Sequence, residues 1–312
     1  MILVCGEALV DALNNSDGTQ QLMPGGGPFN TARALARLEV PTAFLGHLSN
    51  DALGRRLAEL LAADGASLAL ASYGPEPTTL AVADVDGAGL AEYEFFVKDT
   101  SAPNLTPAMI PDHLSPDINA IHVGTLGLVL EPMASTLAEL IRSEGSGHLV
   151  MLDPNIRPGL LSDEQEYRDR LDRLIGEATI VKASESDLQW LIPGVGYETA
   201  AEQTLEAGPR LVIVTLGPRG AFAITDDVRV SVEAPPVEVV DTIGAGDAFS
   251  AGFLAWLNDH DRIDANLRLE KDELRAALEF ACLAASLTCA KAGAEPPTRA
   301  EMDLARASWE TD

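Results

Sequence analysis

Short apolar runs alternate with helix-like segments along most of this 312-residue chain, and this alternation restricts the fold more than any other feature. Strands that are buried on both faces form continuous apolar runs, and strands separated by helices pair in parallel. The sequence therefore predicts an α/β fold with a doubly wound, mainly parallel sheet flanked by helices. The apolar runs are ILVCGEALV, TAFLGHL, AIHVGTLG, HLVMLDP, TIVKAS and RLVIVTLG, and the predicted helices cover residues 28–38, 51–63, 131–142, 164–176 and 184–191.

Two segments interrupt this alternation. Residues 9–23 contain NNSDG, and residues 78–97 contain DVDG followed by AEYEFFV, so each segment is predicted to form a hairpin with an Asp-Gly turn. We expect the two hairpins to form a small β lid, and residues 1–8, 24–77 and 98–312 to form the nucleotide- and substrate-binding core. Alternate residues of AEYEFFV share one face of a strand. Such a face suits a lid and a homodimer contact, and an ordinary edge hairpin has the same pattern.

The charge balance argues against nucleic acids and membranes as partners. The chain has 48 acidic and 21 basic residues and a formal net charge of −27, which repels a phosphate backbone or an anionic bilayer. The first residues, MILVCGEALVDAL, contain Glu7 and Asp11 and no basic leader, so they indicate a first strand and a cytoplasmic protein. Three scattered cysteines, Cys5, Cys282 and Cys289, favour buried thiols over disulfides or a metal site.

The most informative motif is VEVVDTIGAGDAFSAGFLAWL, residues 237–257. A strand is predicted to end at Asp241, a Gly-Ala-Gly turn follows, and Asp247 stands at the start of a helix. Small residues leave the backbone N–H groups accessible, and the helix N-terminus adds partial positive charge, so the turn is a candidate anion hole. An isolated Asp at this position would be interpreted as a helix cap. The length of the motif favours a functional interpretation.

The string DTIGAGDAF within this motif resembles the C-terminal signature of PfkB (ribokinase-like) carbohydrate kinases. The resemblance implies that Asp247 takes the proton of the attacking sugar hydroxyl, while the backbone of Gly244, Ala245 and Gly246 stabilises the transferring γ-phosphoryl group of Mg-ATP. Phosphoryl transfer passes through a loose transition state, so positioning and electrostatics provide most of the acceleration. The resemblance also implies a ribokinase-like fold.

A second motif, GGGPFNTARALARL at residues 25–38, resembles the glycine motif near the N-terminus of the same family. Glycines permit close approach of the backbone to a ligand, and Asn30 offers both a donor and an acceptor to vicinal hydroxyls. The resemblance assigns Gly26, Gly27 and Asn30 to sugar contacts, together with Asp11. On residue type alone, Asp11 would be interpreted as a solvated carboxylate at a strand end.

A third motif, DPNIRPGLL at residues 153–161, follows the strand HLVML at the end where ligands bind in open α/β sheets. The guanidinium of Arg157 suits a phosphate or a carboxylate. The DPNxR string resembles the fructokinase branch of the family, which implies D-fructose as the sugar and Asn155 and Arg157 as substrate-binding residues. Kinases for 2-keto-3-deoxygluconate, ribose or a nucleoside are the alternatives within the family.

The nucleotide side is predicted from three further stretches. VKASESD, residues 181–187, stands where many relatives carry Asn-x-x-Glu, a motif linked to magnesium and phosphate, and here the two positions are Ser184 and Asp187. Lys182 is interpreted either as a phosphate contact or as a surface lysine. The candidate nucleotide contacts from the other two stretches, TLGPRGA and ACLAASLTCAKAGA, are Thr215, Gly217, Gly220 and Cys282.

Two residues of the DTIGAGDAF string, Asp241 and Ile243, are candidates for a monovalent cation site, because the resemblance around them suggests a potassium requirement. Other enzyme classes fit less well. The first strand leads to no GxGxxG turn, no GxxxxGK string is present, and the five histidines form no HExxH pattern. The alternative of a different class is a sugar or nucleotide sensor without catalysis, which the changed Asn-x-x-Glu positions favour and the intact Asp247 does not.

Overall fold

The computed structural model describes residues 1–14, 19–85 and 91–309. The Asp-Gly turns expected at 17–18 and 86–87 lie outside these ranges. In chain order the strands are β1 (Ile2–Cys5), β2 (Leu9–Asn14), β3 (Gln20–Gly25), β4 (Thr42–Leu45), β5 (His47–Ser49), β6 (Ser72–Gly74), β7 (Leu80–Val85), β8 (Ala91–Phe96), β9 (Ala120–Gly124), β10 (Leu149–Asp153), β11 (Ile180–Ser184), β12 (Leu211–Thr215), β13 (Ala221–Ile224) and β14 (Arg229–Val232). The helices are α1 (Gly27–Arg37), α2 (Ala52–Asp64), α3 (Met133–Glu144), α4 (Glu164–Glu177), α5 (Glu185–Leu191), α6 (Tyr197–Glu206), α7 (Ala245–Asp259), α8 (Lys271–Cys289) and α9 (Arg299–Trp309).

The central sheet has eight strands in the order β14-β13-β12-β11-β10-β9-β1-β4. Within this sheet, the strands β12, β11, β10, β9, β1 and β4 pair in parallel with their neighbours. The strands β13 and β14 continue the sheet as an antiparallel edge. The five helices predicted from sequence begin and end within two residues of α1 to α5. The predicted doubly wound α/β fold is therefore confirmed.

Both faces of the central sheet are covered by helices. Along β1, Ile2 and Val4 pack in one apolar cluster with Phe29 of α1 and Phe253 of α7. Leu3 and Cys5 point to the other face and pack with residues of α3 and α4. Alternation along a strand sends successive side chains to opposite faces, so a continuous apolar run is required where both faces are buried. Cys5 and Cys282 are buried free thiols.

A separate four-stranded sheet has the order β3-β2-β7-β8. The strands β2 and β3 pair in antiparallel, as do β7 and β8, in agreement with the two predicted hairpins, and β2 joins the hairpins by pairing in parallel with β7. A short parallel pair, β5 and β6, completes the strands of the described ranges. Within those ranges, no helix is both long and apolar enough to cross a membrane.

Candidate active site

A cavity of about 530 Å³ lies at the carboxyl ends of the central parallel strands and beneath one face of the four-stranded sheet. This is the edge at which open α/β sheets bind ligands. Most of the residues predicted from sequence line this cavity. They are Asp11, Gly26, Gly27, Asn30, Asn155, Arg157, Lys182, Ser184, Asp187, Thr215, Gly217, Ile243, Gly244, Gly246 and Asp247.

Asp247 is the third residue of α7, after Gly244 at the N-cap position with a φ of 75°. Its Oδ2 accepts a hydrogen bond of 2.9 Å from Nδ2 of Asn30, in the first turn of α1. The helix has no side-chain cap, so the capping interpretation of Asp247 fails. The side chain instead joins the two helix N-termini that border the cavity, where the first N–H groups of α7 have no acceptor within the helix.

The pKa of Asp247 is raised to about 7, chiefly because burial disfavours the charged carboxylate. The hydrogen bond from Asn30 opposes this shift, and the negative charge of Asp153 adds to it. The positive charges of Lys182 and Arg157 also favour the ionised form. The carboxylate therefore changes protonation state near neutral pH.

Gly27 makes close approach of α1 to Asp247 possible. A Cβ at this position would lie 2.4 Å from Oγ1 of Thr125 and 3.3 Å from Oδ1 of Asp247. Asn30, one turn further along the helix, is 5% exposed. Its Oδ1 has no hydrogen-bond partner among the described residues, although its Nδ2 is bonded to Asp247. An acceptor oxygen is therefore available beside the carboxylate.

The four-stranded sheet supplies Leu9, Asp11 and Phe95 to the cavity. Asp11 and Phe95 both pair in register with Ala81, so they lie on the same face. Burial raises the pKa of Asp11 to about 6. Its carboxylate lies so close to Gly25 that a Cβ there would be 2.1 Å from Oδ2. Asp11 is half-buried and its carboxylate lies at the cavity.

Lys182 is 4% exposed and its Nζ lies 2.7 Å from Oδ2 of Asp153. The alternative interpretation of Lys182 as a surface lysine is therefore wrong. Burial opposes the charge on the ammonium, but the Asp153 carboxylate more than offsets this and raises the pKa of Lys182. A Cβ on Gly246 would lie 3.1 Å from Nζ, so the ammonium lies against the first turn of α7. Ser250 donates to Asp153 Oδ2 at 3.4 Å and to Gly246 O at 3.2 Å.

Glu7 lines the cavity and was not predicted as a site residue. It is fully buried, and its two carboxylate oxygens accept hydrogen bonds from the N–H groups of Gly27, at 3.1 Å, and Gly127, at 3.0 Å. Burial raises the pKa of Glu7 to about 8, against the effect of these N–H groups. The carboxylate joins the start of α1 to the segment after β9. A Glu inside an apolar strand run is the signal that indicates such a buried role.

The sequence analysis also missed five other cavity residues, because their residue types (Leu, Phe and Thr) do not by themselves indicate a binding site. They are Leu9, Phe95, Thr125, Leu126 and Thr242.

The loop after β10 carries Asn155 and Arg157 at the cavity edge. Asn155 has a φ of 40°, and its Nδ2 donates to Oγ1 of Thr125 at 3.2 Å. Arg157 is exposed, and its Nη1 donates to the carbonyl oxygens of Asn155 and Ile156 at 3.1 and 3.2 Å. The guanidinium therefore folds over its own loop, and its other N–H groups are free to turn towards a ligand.

Four predicted residues do not line this cavity. Ala245 donates its N–H to the carbonyl of Thr242 at 3.3 Å. Cys282 is buried in the apolar cluster between α7 and α8. Gly220, with a φ of 89°, lies in the turn before β13, where a Cβ would be 2.0 Å from Val232 O. The fourth is Asp241.

Asp241 is fixed beside the anion-hole turn. Its Oδ1 accepts from Ile243 N at 3.0 Å, and its Oδ2 accepts from Gly293 N at 2.9 Å. These bonds bring the segment after α8 against the turn that precedes α7, and Gly244 contacts Ala294 there. Both carboxylate oxygens of Asp241 are therefore held by backbone N–H groups of two loops.

A resident divalent metal does not fit these side chains. The described residues contain no group of three or more His, Cys, Asp or Glu side chains placed to hold a metal ion. Both oxygens of Asp187 already accept hydrogen bonds from the protein.

Comparison with known proteins identifies the family of this chain. The profile of the pfkB family carbohydrate kinases matches residues 1–301. A fructokinase of Rhizobium leguminosarum bv. trifolii is 39% identical over 261 residues, which cover 82% of this chain and 79% of that protein. Two solved structures are similar in fold as well as in sequence.

The first is a fructokinase double mutant from Vibrio cholerae O395 in a form bound to fructose, ADP and potassium ion, with a TM-score of 0.86, 28% identity and 97% coverage of both chains. The second is the aminoimidazole riboside kinase of Salmonella enterica complexed with aminoimidazole riboside and an ATP analog. It has a TM-score of 0.85 and 25% identity, and the match covers 97% of this chain and 98% of that chain. Because the family profile spans nearly the whole sequence, this chain belongs to the pfkB family of carbohydrate kinases.

Proposed function

We propose that this carbohydrate kinase transfers the γ-phosphoryl group of Mg-ATP to the 6-hydroxyl of D-fructose, with Asp247 as the general base. The observation that carries the proposal is the hydrogen bond between Asp247 and Asn30, which fixes a buried carboxylate at the junction of two helix N-termini. A carboxylate with a pKa near 7 is a stronger base than an ordinary Asp and is still ionised in part at neutral pH.

The sugar would lie between α1 and the four-stranded sheet. The free Oδ1 of Asn30 accepts one sugar hydroxyl, and the carboxylate of Asp11 accepts others from above. The hydroxyl that reacts then lies against Asp247, which holds it in position and takes its proton as the new O–P bond forms. The bond between the γ-phosphorus and the β,γ-bridging oxygen breaks, and ADP leaves. Positioning of this kind contributes much of the rate in phosphoryl transfer.

The phosphoryl group would lie against the first turn of α7. The backbone of Gly244, Ala245 and Gly246 would stabilise its charge, and the ammonium of Lys182 lies against the same turn. Magnesium bound to ATP neutralises charge on the phosphates. Ser184, Thr215 and Gly217 border the same cavity on the nucleotide side.

We propose fructose, and not one of the other candidate sugars, because similar proteins are fructokinases. The similar proteins include a fructokinase at 39% identity and a fructokinase structure that contains fructose and ADP. The structure of aminoimidazole riboside kinase keeps a riboside acceptor as the main alternative. The loop with Asn155 and Arg157 would contact the part of the acceptor that differs between these substrates.

The proposal is tested by ADP release from Mg-ATP with a panel of D-fructose, D-ribose, 2-keto-3-deoxygluconate and nucleosides. We expect turnover with fructose at a kcat/KM at least ~10-fold above that of any other acceptor. If a different acceptor gave the higher kcat/KM, that acceptor would replace fructose as the proposed substrate. Binding of sugar without turnover on any acceptor would favour the alternative of a sugar or nucleotide sensor without catalysis.

The pH dependence follows from the raised pKa of Asp247. Only the ionised carboxylate takes a proton, so kcat/KM for fructose is expected to increase as the pH rises through about 7 and to level off above it. The profile is measured from pH 5.5 to 9 at saturating Mg-ATP. A rate that is constant between pH 5.5 and 8 would show that Asp247 does not act as the base.

A potassium requirement is proposed for the turn around Asp241 and Ile243, and it is supported by the potassium ion in the Vibrio cholerae structure. A cation there would add positive charge beside the anion hole. We expect kcat at least ~5-fold higher in potassium chloride than in sodium chloride of equal ionic strength. Equal rates in the two salts would argue against this site.

We also propose that the four-stranded sheet is a lid and forms a homodimer contact. Leu22 of β3 and Phe96 of β8 are each 48% exposed, and register places both on the face that points away from the cavity. Burial of apolar side chains on this face by a second copy would stabilise a dimer. We place the enzyme in the cytoplasm, where ATP is available as the donor.

A further inference from the structure

Asp187 stands at the position that the family resemblance links to magnesium and phosphate, but its contacts indicate a different role. Ser184 is the N-cap residue of α5, and its side chain accepts a hydrogen bond from the N–H of Asp187 at 3.1 Å. In return, Asp187 Oδ2 accepts from the N–H of Ser184 at 2.8 Å and from its hydroxyl at 2.6 Å. The two residues therefore form a capping box for α5.

The other carboxylate oxygen of Asp187 reaches a different element. Its Oδ1 accepts a buried hydrogen bond of 2.8 Å from the N–H of Ile156, in the loop after β10. Ile156 immediately precedes Arg157, whose guanidinium bonds back to the carbonyl of Ile156. The Asp187 carboxylate thus fixes the peptide unit between Asn155 and Ile156, one residue before Arg157.

The coordination capacity of Asp187 is largely used by these bonds. A carboxylate offers roughly four lone-pair sites, and three protein donors already occupy sites on Asp187. The residue is also only 6% exposed. A cation would have to share the carboxylate with these three donors, with only about one lone-pair site left for it.

The structure assigns Asp187 as a positioning residue that holds the Arg157 loop against α5, in place of a role as a magnesium ligand. The structural part of this assignment is independent of the proposed function, and its kinetic consequence rests on that function. Two other side-chain contacts hold the same segment: the ion pair of Asp153 with Lys182 and the hydrogen bond of Asn155 to Thr125. Of these three contacts, the hydrogen bond from Ile156 N–H to Asp187 is the closest in sequence to Arg157.

Hydrogen exchange of the full-length protein tests the structural part directly. Asp187→Ala removes the acceptor of the Ile156 amide, so exchange in a peptide spanning residues 153–161 is expected to be at least ~10-fold faster than in the wild type. Asp187→Asn keeps the size of the side chain but places an NH2 group near one of the two bonded partners, so it should give a smaller increase. Unchanged exchange in both variants would overturn the assignment.

The matched control is Glu185→Ala, in the same first turn of α5. Glu185 is 47% exposed in its side chain and pairs with Arg219 on the surface. This variant removes a carboxylate from the helix start while both capping-box residues remain. We expect exchange in residues 153–161 and the kinetic constants to match those of the wild type.

Kinetics then separate a positioning residue from a magnesium ligand. For Asp187→Ala we expect a KM for fructose raised by about 10- to 100-fold, with an activation constant for free Mg²⁺ within ~3-fold of the wild type. In an Arg157→Ala background, the same change should add less than ~2-fold. An activation constant for Mg²⁺ raised ~10-fold with an unchanged KM for fructose would overturn the proposal. A wild type without sugar kinase activity would contradict the proposed function, and exchange would still decide the role of Asp187.

Discussion

Replacement of Asp247 with alanine is expected to lower kcat for fructose by about 10²- to 10⁴-fold, the range typical of a lost general base. The carboxylate is the group that orients and deprotonates the sugar hydroxyl in our proposal, and no other carboxylate bonds to Asn30 in the described structure. ATP binding should be retained, because the N–H groups of the α7 turn belong to the backbone. We would measure kcat by ADP release and the Kd for ATP by calorimetry.

Two further variants control for general damage to the helix. Asp247→Asn keeps the shape and the contact with Asn30 but removes the base, so its kcat should be as low as that of Asp247→Ala. Asp303→Ala removes an exposed carboxylate from α9 and should leave kcat unchanged. A kcat for Asp247→Asn within ~5-fold of the wild type would exclude Asp247 as the base.

Replacement of Lys182 with methionine is expected to cause the largest loss of stability. Its ion pair with Asp153 is buried, with side-chain exposures of 5% and 3%. Removal of one partner from a buried pair leaves the other charge uncompensated, at a cost of about 3–5 kcal/mol. Urea denaturation of the wild type and the variant measures this difference in the free energy of unfolding.

A double variant and a surface pair complete this test. Lys182→Met combined with Asp153→Leu removes both charges and should recover part of the loss. Arg229→Met breaks an exposed pair with Glu202, and its cost should stay below about 1 kcal/mol. If Lys182→Met lowered the free energy of unfolding no more than Arg229→Met does, the ion pair of Lys182 with Asp153 would not be buried in solution.

The fold was predictable because burial on both faces leaves a strong pattern in the sequence. A strand such as β10, with every residue buried, must be apolar nearly throughout, and the helices between strands show their own periodicity. The hairpins β2–β3 and β7–β8 were recognisable because they fall outside this alternation. A small sheet made of both hairpins was expected, but the strand pair that joins them, β2 with β7 in parallel, was not predicted. Pairing between distant segments leaves no local signal.

The site was predictable where a motif is long. DTIGAGDAF combines a turn, a helix start and a carboxylate, so the sequence alone indicated that Asp247 and its turn lie at the cavity. Glu7 was missed because its role depends on Gly127, which is 120 residues away in the sequence. The position of Lys182 could not be decided from sequence for the same reason, since its partner Asp153 lies on the neighbouring strand.

The role of Ser184 and Asp187 shows a different limit. Ser-x-x-Asp before a helix is itself the pattern of a capping box, so this interpretation was available from the sequence. What the sequence could not indicate is the bond from Asp187 to Ile156, which joins two loops at the ends of β10 and β11. In our proposal, the motif retains its spacing while the carboxylate of Asp187 serves the protein instead of a ligand.

The measurement that tests the central claim most directly is a product-specific assay with fructose and Mg-ATP. Phosphoglucose isomerase and glucose-6-phosphate dehydrogenase report fructose 6-phosphate and do not respond to fructose 1-phosphate. We predict one NADPH formed per ATP consumed with the wild type, and a rate at least ~100-fold lower with Asp247→Asn. ATP consumption without NADPH, or equal rates for the two proteins, would contradict the account.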